Sequence, residues 1–322
     1  MIFEKKILEL YTKNLLTRYD DTGLIRYFTS DDFPGLSKEA FSFSGVHGQT
    51  LRGNVYYYGE SDRERLVIFE HGMGGGHLSY MKEIAELSKR GFTVLSYDHT
   101  GCMESDGENI GGFAQSLADL DFCIRALRSE GSKYKTAKLS VVGHSWGAFS
   151  TMNICAIHKD VTHIAAMSGF ISVKEILNQF FTGILRLYVP ALYRFEEQNL
   201  PDYTDYNAID SLKNSDVKAM IIHSEDDPTV SFKANFLKMK KKLSDKENIT
   251  FVSCVGKGHN PNFTPWAVKL KDAFFADLTD KTKSGYFTDD IKKTEFKAQY
   301  DFDKMSEQDS AVWDDIASFL NT

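Results

Sequence analysis

The chain has 322 residues, of which 42% are hydrophobic and 13% aromatic, and 38 Lys+Arg stand against 45 Asp+Glu for a formal net charge of −7. That share of apolar side chain can offset the entropy of ordering, which excludes a disordered, collagen-like or low-complexity architecture. The acidic balance offers no clustered Lys/Arg excess for phosphate, so no nucleic-acid partner is expected, while length alone allows two domains or one large α/β domain with an insertion.

In chain order, residues 2–19 place Phe3, Ile7, Leu10 and Leu15 at near-helical spacing, with Lys5, Lys6, Lys13 and Arg18 between them. This predicts an amphipathic helix lying on the main body. The segment has no continuous apolar run and no small-residue cleavage site, so it is not expected to be a secretory signal. Residues 40–58 read as a hairpin: Phe41 and Phe43 alternate with polar residues, His47-Gly48 supplies a turn, and 54–58 resume a strand. Short apolar runs then follow at 66–70, 93–97, 139–142, 163–167, 218–223 and 250–255, with helical patterns at 81–90, 113–129 and 148–158 between them. That alternation predicts a parallel sheet covered on both faces.

Two stretches break the rhythm. Residues 169–212 are too long for an ordinary crossover, rich in aromatics and helical in pattern. The tail after His259 runs through WAVKLKDAFFADL and a charged segment to a helix at 310–320. Both are candidate covers over a site. The most apolar long stretch, 176–195, is interrupted by Asn178, Gln179, Arg186, Pro190 and Arg194, so no stable membrane insertion is expected. Cys102, Cys123, Cys155 and Cys254 are scattered, as free thiols in a reducing compartment would be, and a cytoplasmic protein is expected.

The chemistry concentrates in three places. Gly143-His144-Ser145-Trp146-Gly147 joins an apolar strand to a helical run, the context of a nucleophile elbow that exposes a serine at the sheet's carboxyl edge. His71-Gly72-Met73-Gly74-Gly75-Gly76 follows another strand and can supply a backbone donor to an oxyanion, with Met73 and Trp146 as the two N–H groups. A serine needs a base oriented by an acid. Glu225, Asp226 and Asp227 end one late strand and Gly258-His259 ends the next, in the order serine, acid, histidine. His144 and His77 flank the site without a partner visible in the sequence.

With these motifs the chain resembles the α/β-hydrolase family, and within it the monoacylglycerol-lipase or lysophospholipase-like, serine aminopeptidase-like group. The resemblance spans roughly residues 41–260 plus the terminal helix, on HGMGGG, SYDHTGCMESDG, GHSWG, HSEDDPTV and GKGHN. It implies a mostly parallel sheet with helices on both faces and a helical cap insertion. The implied divisions are an N-terminal extension at 1–38, a core at 39–170 and 213–322, and a cap at 171–212. It selects Asp227 as the acid, so that Ser145, Asp227 and His259 form the triad, and it points to Phe180, Phe181, Leu185 and Tyr188 of the cap as substrate-binding residues. Two departures stand out. Thr100 and Met103 replace the Arg and second Gly of the turn after the fourth strand, and Gly75 and Gly76 replace an acid and a His often found in the oxyanion loop. The implied activity is hydrolysis of carboxylic esters with no cofactor and no metal, the partner being a small-molecule ester or acyl substrate. An amidase or aminopeptidase, with Glu175, Glu196 or Glu197 anchoring a substrate amine, and a non-catalytic ligand-binding protein are the alternatives. Oligomeric state is not legible.

Overall fold

The structure, a computed structural model, describes residues 2–322 and their side chains from Glu4 onward, so the expected place of Phe3 on a helix face lies outside the described side chains. The strands are β1 (Leu36–Ser44), β2 (Thr50–Tyr58), β3 (Arg65–Glu70), β4 (Thr93–Tyr97), β5 (Lys138–His144), β6 (Val161–Met167), β7 (Lys218–Ser224) and β8 (Ile249–Cys254). They form one sheet in the order β1-β2-β4-β3-β5-β6-β7-β8. The first two make the predicted hairpin, closing at Ser44 opposite Thr50 with Gly48 at φ +79° in the turn. β2 runs antiparallel to β4, and every pairing from β4 across to β8 is parallel. Because β1 begins at Leu36, the N-terminal extension ends before the expected boundary at 39.

The continuous apolar runs are buried on both sides because successive side chains point to opposite faces. Ile68, Leu95, Val141, Ile164 and Ile221 enter one core cluster, and Val67, Phe69, Val94, Val142 and Ile222 enter the other. The helices before the elbow are α1 (Ile2–Leu15), α2 (Met81–Lys89) and α3 (Gln115–Arg128), and α4 (Trp146–Asn153) follows it. Between β6 and β7 lie α5 (Val173–Phe180), a 3₁₀ turn at Gly183–Tyr188, α6 (Val189–Asn199) and α7 (Ala208–Lys213). A short α8 (Lys238–Lys242) precedes β8, and α9 (Pro265–Lys283), α10 (Asp290–Lys297), α11 (Phe302–Met305) and α12 (Ser310–Leu320) make the tail. Helices α3 and α4 cover the first face, and α2 and α12 the second, where Trp313, Ile316 and Leu320 pack with Ile84 and Leu87. Each such side chain contributes about 1.5–3 kcal/mol through its removal from water.

In α1 the buried face is Ile7, Leu8, Tyr11 and Leu15. Leu10, expected on that face, is 46% exposed, because a 3.6-residue repeat rotates it to the flank. The Tyr11 hydroxyl donates to the buried carboxylate of Glu196, which ties α1 to α6. Helix α9 starts where the sequence signals it, with Thr264 capping the Ala267 amide at 3.2 Å and Pro265 in the first turn. The tail builds a small core of its own from Phe274, Phe296 and Met305, joined by Tyr300 and Phe302 and resting on Leu24 and Ile25. Among the described residues no helix is long and apolar enough to cross a membrane.

Candidate active site

The elbow follows from two close approaches. A Cβ on Gly143 would lie 2.3 Å from Thr151 Oγ1, and one on Gly147 would lie 2.2 Å from the Glu70 carbonyl oxygen. With both flanks pressed this tightly, the chain reverses at Ser145, which sits at φ +55°, ψ −113°. A non-glycine residue there costs about 1–3 kcal/mol and persists only where its surroundings determine it. The Ser145 amide donates to the Met167 carbonyl at 2.8 Å, and its carbonyl accepts from the Ala148 and Phe149 amides at 3.0 and 3.1 Å. Its hydroxyl therefore stands at the carboxyl edge of β5, at the positive end of α4.

Two loops at neighbouring strand ends bring partners to this hydroxyl. His259, beyond β8, has Nε2 2.9 Å from Ser145 Oγ and Nδ1 2.8 Å from Asp227 Oδ2. Since a carboxylate only accepts, Nδ1 carries the proton and Nε2 is free to receive the one on Ser145. Asp227 Oδ1 accepts from the Thr229 and Val230 amides at 2.8 and 2.9 Å, and Oδ2 lies 3.0 Å from Nε2 of the fully buried His223. Burial opposes ionisation of Asp227. The hydrogen bonds from His223, His259 and Val230 outweigh it and hold the carboxyl well below the usual range. Asp226 does something else: it accepts from the Gly256 amide at 2.9 Å and the Gly258 amide at 3.3 Å, stapling the loop that carries His259.

The glycine-rich loop after β3 runs against the serine, where a Cβ on Gly72 would fall 3.3 Å from Ser145 Cβ. The amide of Trp146 opens α4, where no intrahelical acceptor exists, and Met73 lines the same cavity as Ser145. His71 fixes the loop from behind. Its Nδ1 donates to the Gly72 carbonyl at 2.8 Å and its Nε2 accepts from the His99 amide at 3.0 Å. Burial, with the neighbouring His99, pushes the His71 pKa down to about 3, so this ring is neutral.

His144 acquires the partners that the sequence hides. Its Nε2 donates to the His259 carbonyl at 2.7 Å, which leaves Nδ1 to accept from the Tyr80 hydroxyl at 2.9 Å. A Cβ on Gly72 would fall 2.5 Å from that same hydroxyl, so the glycine loop packs directly on it. Hydrogen bonds thus link Tyr80, His144 and the backbone of His259, with the glycine loop packed on the Tyr80 hydroxyl. His77 lies apart from the triad, with Nδ1 2.7 Å from Asp98 Oδ1 and Nε2 3.1 Å from the Tyr56 hydroxyl. Asp98 also explains the departure at Gly76, where a Cβ would meet its Oδ1 at 2.2 Å. Met103, in place of the second glycine of that turn, adopts φ +41°.

Behind the elbow a charged cluster is sealed in the core. His99 Nε2 lies 3.5 Å from Glu70 Oε2 and its Nδ1 3.3 Å from Asp119 Oδ2, all fully buried. Burial pushes the Glu70 carboxyl up to about 7, whereas His99, despite burial, is raised by the carboxylates of Glu70 and Asp119.

A cavity of about 260 Å³ opens on Ser145 and His259, lined also by Met73, Tyr80, Lys271 and Phe275. A second, of about 210 Å³, extends behind it beneath α9 and against residues 25–28. Neither is lined by any residue of 171–212, so the structure takes Phe180, Phe181, Leu185 and Tyr188 away from the place expected for them. Phe180 lies against Phe113 and Phe181 against Tyr11, while Leu185 is 42% exposed on the 3₁₀ turn. The reason is that α5 and α6 bury Ile176, Leu177, Val189 and Leu192 in the core cluster shared with α1 and α4, and α9 fills the space beside the triad. The acids suggested as amine anchors are also engaged elsewhere or distant: Glu175 pairs with Lys238 at 2.5 Å, Glu196 is buried beneath Tyr11, and Glu197 lines neither cavity. Tyr80 and Lys271 were not predicted at this site and no local motif marks them, while His71 and His223 open the HGMGGG and HSEDDPTV motifs without a role assigned to either.

No curated protein sequence matches the chain. Among solved structures, an esterase of Pyrococcus furiosus aligns with a TM-score of 0.58 at 16% identity, over 81% of this chain and 96% of its own. An α/β hydrolase from a Penicillium species gives 0.52 at 19% identity over 76% and 97%. The esterase domain of a Rhodothermus marinus protein gives 0.50 at 17% over 69% and 89%. These likenesses establish the α/β-hydrolase fold. The family model described as serine aminopeptidase, S33, matches residues 61–236, more than half of the 322, and the chain belongs to that family of α/β hydrolases.

Proposed function

We propose that this hydrolase cleaves carboxylic esters through an acyl-enzyme on Ser145. One observation carries the reading: an unbroken line of hydrogen bonds, 2.8 Å from Asp227 to His259 and 2.9 Å from His259 to Ser145, ends on a serine held at φ +55° beside an open cavity. In the proposed sequence, Ser145 Oγ bonds to the acyl carbon as its proton passes to His259 Nε2. The carbonyl oxygen becomes an oxyanion facing the Met73 and Trp146 amides. Asp227 holds the imidazole in the required tautomer and balances its positive charge. The tetrahedral intermediate collapses, the C–O bond to the alcohol breaks, and the alcohol leaves with the proton from His259. Water then repeats the addition with the same base, and the acid and free Ser145 are regenerated.

The test is turnover of 4-nitrophenyl esters alongside aminoacyl 4-nitroanilides. Ester turnover is expected, with weak or no anilide turnover, and Ser145→Ala lowers kcat by on the order of 10⁶, to background, without loss of folded signal. Ester turnover that survives Ser145→Ala sinks the assignment. Faster cleavage of the anilides makes the protein an amidase instead.

A further inference from the structure

The two cavities meet across Met73, Tyr80, Asn260, Lys271 and Phe275. The cations lining them are Arg26 and Lys271, and Arg26 is already paired with Asp32 at 2.9 Å. Lys271 has no carboxylate partner among the described residues. Its ammonium donates to Asn260 Oδ1 at 3.0 Å and lies 4.7 Å from the centroid of the Phe263 ring. Because an ammonium only donates, that bond fixes the Asn260 amide, and Nδ2 is left as a second donor without a protein acceptor among the described residues. Two acids share the walls. Asp272, exposed, lines the cavity beside Ser145, and Glu83 lines the rear one. Glu83 accepts from Asn262 at 3.1 Å and burial pushes its carboxyl up to about 7, while burial lowers Lys271 and the charges of Glu83 and Asp272 oppose that shift. Leu78, Phe263, Phe274 and Phe302 make the remaining wall apolar.

A neutral chain entering this space displaces water from the ammonium and gives nothing back, and a substrate ammonium is repelled. A carboxylate satisfies both donors, and one ammonium with one amide matches its single charge. We propose that the substrate is an anionic ester whose carboxylate binds Lys271 Nζ and Asn260 Nδ2, with half-esters of dicarboxylic acids as the simplest members of the class. This rests on the ester-hydrolase reading of Ser145.

The experiment compares mono-(4-nitrophenyl) glutarate with 4-nitrophenyl pentanoate, which has the same chain length and no charge. The wild-type protein favours the glutarate in kcat/KM by about tenfold or more, the size of one charge-assisted hydrogen bond in a partly buried site. Lys271→Met brings the ratio to near unity, and Lys271→Arg, which keeps the charge, retains the preference. A ratio that Lys271→Met leaves unmoved, in protein whose Ser145 still reacts with a fluorophosphonate, overturns the carboxylate site alone. A wild-type Ser145 that does not react overturns the ester-hydrolase reading as well. In a third arm, 4-nitrophenyl 4-phosphonobutanoate cleaved faster than the glutarate, with that advantage lost in Lys271→Met, replaces the carboxylate with a phosphonate-like dianion and overturns the assignment.

Discussion

Tyr80→Phe removes one oxygen and keeps the ring. That oxygen donates to His144 Nδ1 at 2.9 Å, while His144 holds the His259 carbonyl at 2.7 Å. Without it the buried ring nitrogen loses its partner, at a cost of about 1–3 kcal/mol. Part of that loss appears in global stability. The part that matters for turnover is the freedom gained by Gly72-Met73 and by the backbone of His259, the two elements that face the developing oxyanion and the transferring proton. A fall in kcat of about tenfold corresponds to about 1.4 kcal/mol expressed in the transition state, with KM nearly constant because Tyr80 offers substrate only a wall. The assay is steady-state hydrolysis of 4-nitrophenyl butyrate paired with urea unfolding of the same preparation. Tyr80 acts as a positioning residue only if kcat falls. A variant that loses stability as expected but keeps kcat within about twofold refutes the reasoning and leaves the chain of bonds a purely structural device.

Stability should decline as pH rises through neutrality. Glu70 binds its proton up to about 7 in the folded protein and His99 is raised, so both hold protons more tightly when folded. Their contribution is complete below the unfolded values, about 4.3 for Glu and 6.5 for His, and is lost as pH climbs through the folded ones. Urea midpoints from pH 6 to pH 9 that do not fall, or that fall equally in a Glu70→Gln variant, contradict this. Asp227 acts in the opposite direction: its lowered carboxyl stabilises above the unfolded value of about 3.9, and that part is lost on acidification. Trp313→Ala empties a fully buried site on α12 and removes the 2.9 Å bond from its Nε1 to Gln308, so a loss of about 3–5 kcal/mol is expected in the same unfolding assay.

The order of strands and helices was legible because each apolar run is short, bounded by glycine or polar residues, and buried on both faces. The elbow was legible because backbone crowding dictates its glycines: Gly143 and Gly147 leave no room for a Cβ, and such a demand shows in the local sequence. The partners of His144 were not legible, since Tyr80 and His259 lie 64 and 115 residues away and are brought to it only by the sheet order. What 171–212 would pack against was not legible for a related reason. An amphipathic pattern announces that Ile176, Leu177 and Leu192 will be buried but not against what, and they bury on the core beside α1. Among the adjacent acids, Asp226 and Asp227 differ by one position, and only the resemblance, not their own context, separated the residue facing His259 from the one stapling its loop.

The proposed triad and the cavity walls are built by different means. Ser145, Asp227 and His259 stand at the ends of β5, β7 and β8, so the register of adjacent parallel strands sets their mutual distances. The walls combine the glycine loop and residues 78–83 with residues 25–28 and the tail, whose aromatic core is separate from both clusters that flank the sheet. Phe274 belongs to both: it is 1% exposed within the tail core, and it lines the rear cavity. One wall of the rear cavity is therefore the outer surface of a small core that packs on itself. A side chain altered inside that core moves the wall without touching the strand register, whereas one altered at Gly147 strikes the backbone of Glu70 and disturbs the serine directly. Cavity shape and strand register can change independently in such a molecule, and the tail, rather than the segment between β6 and β7, contributes to the cavity walls.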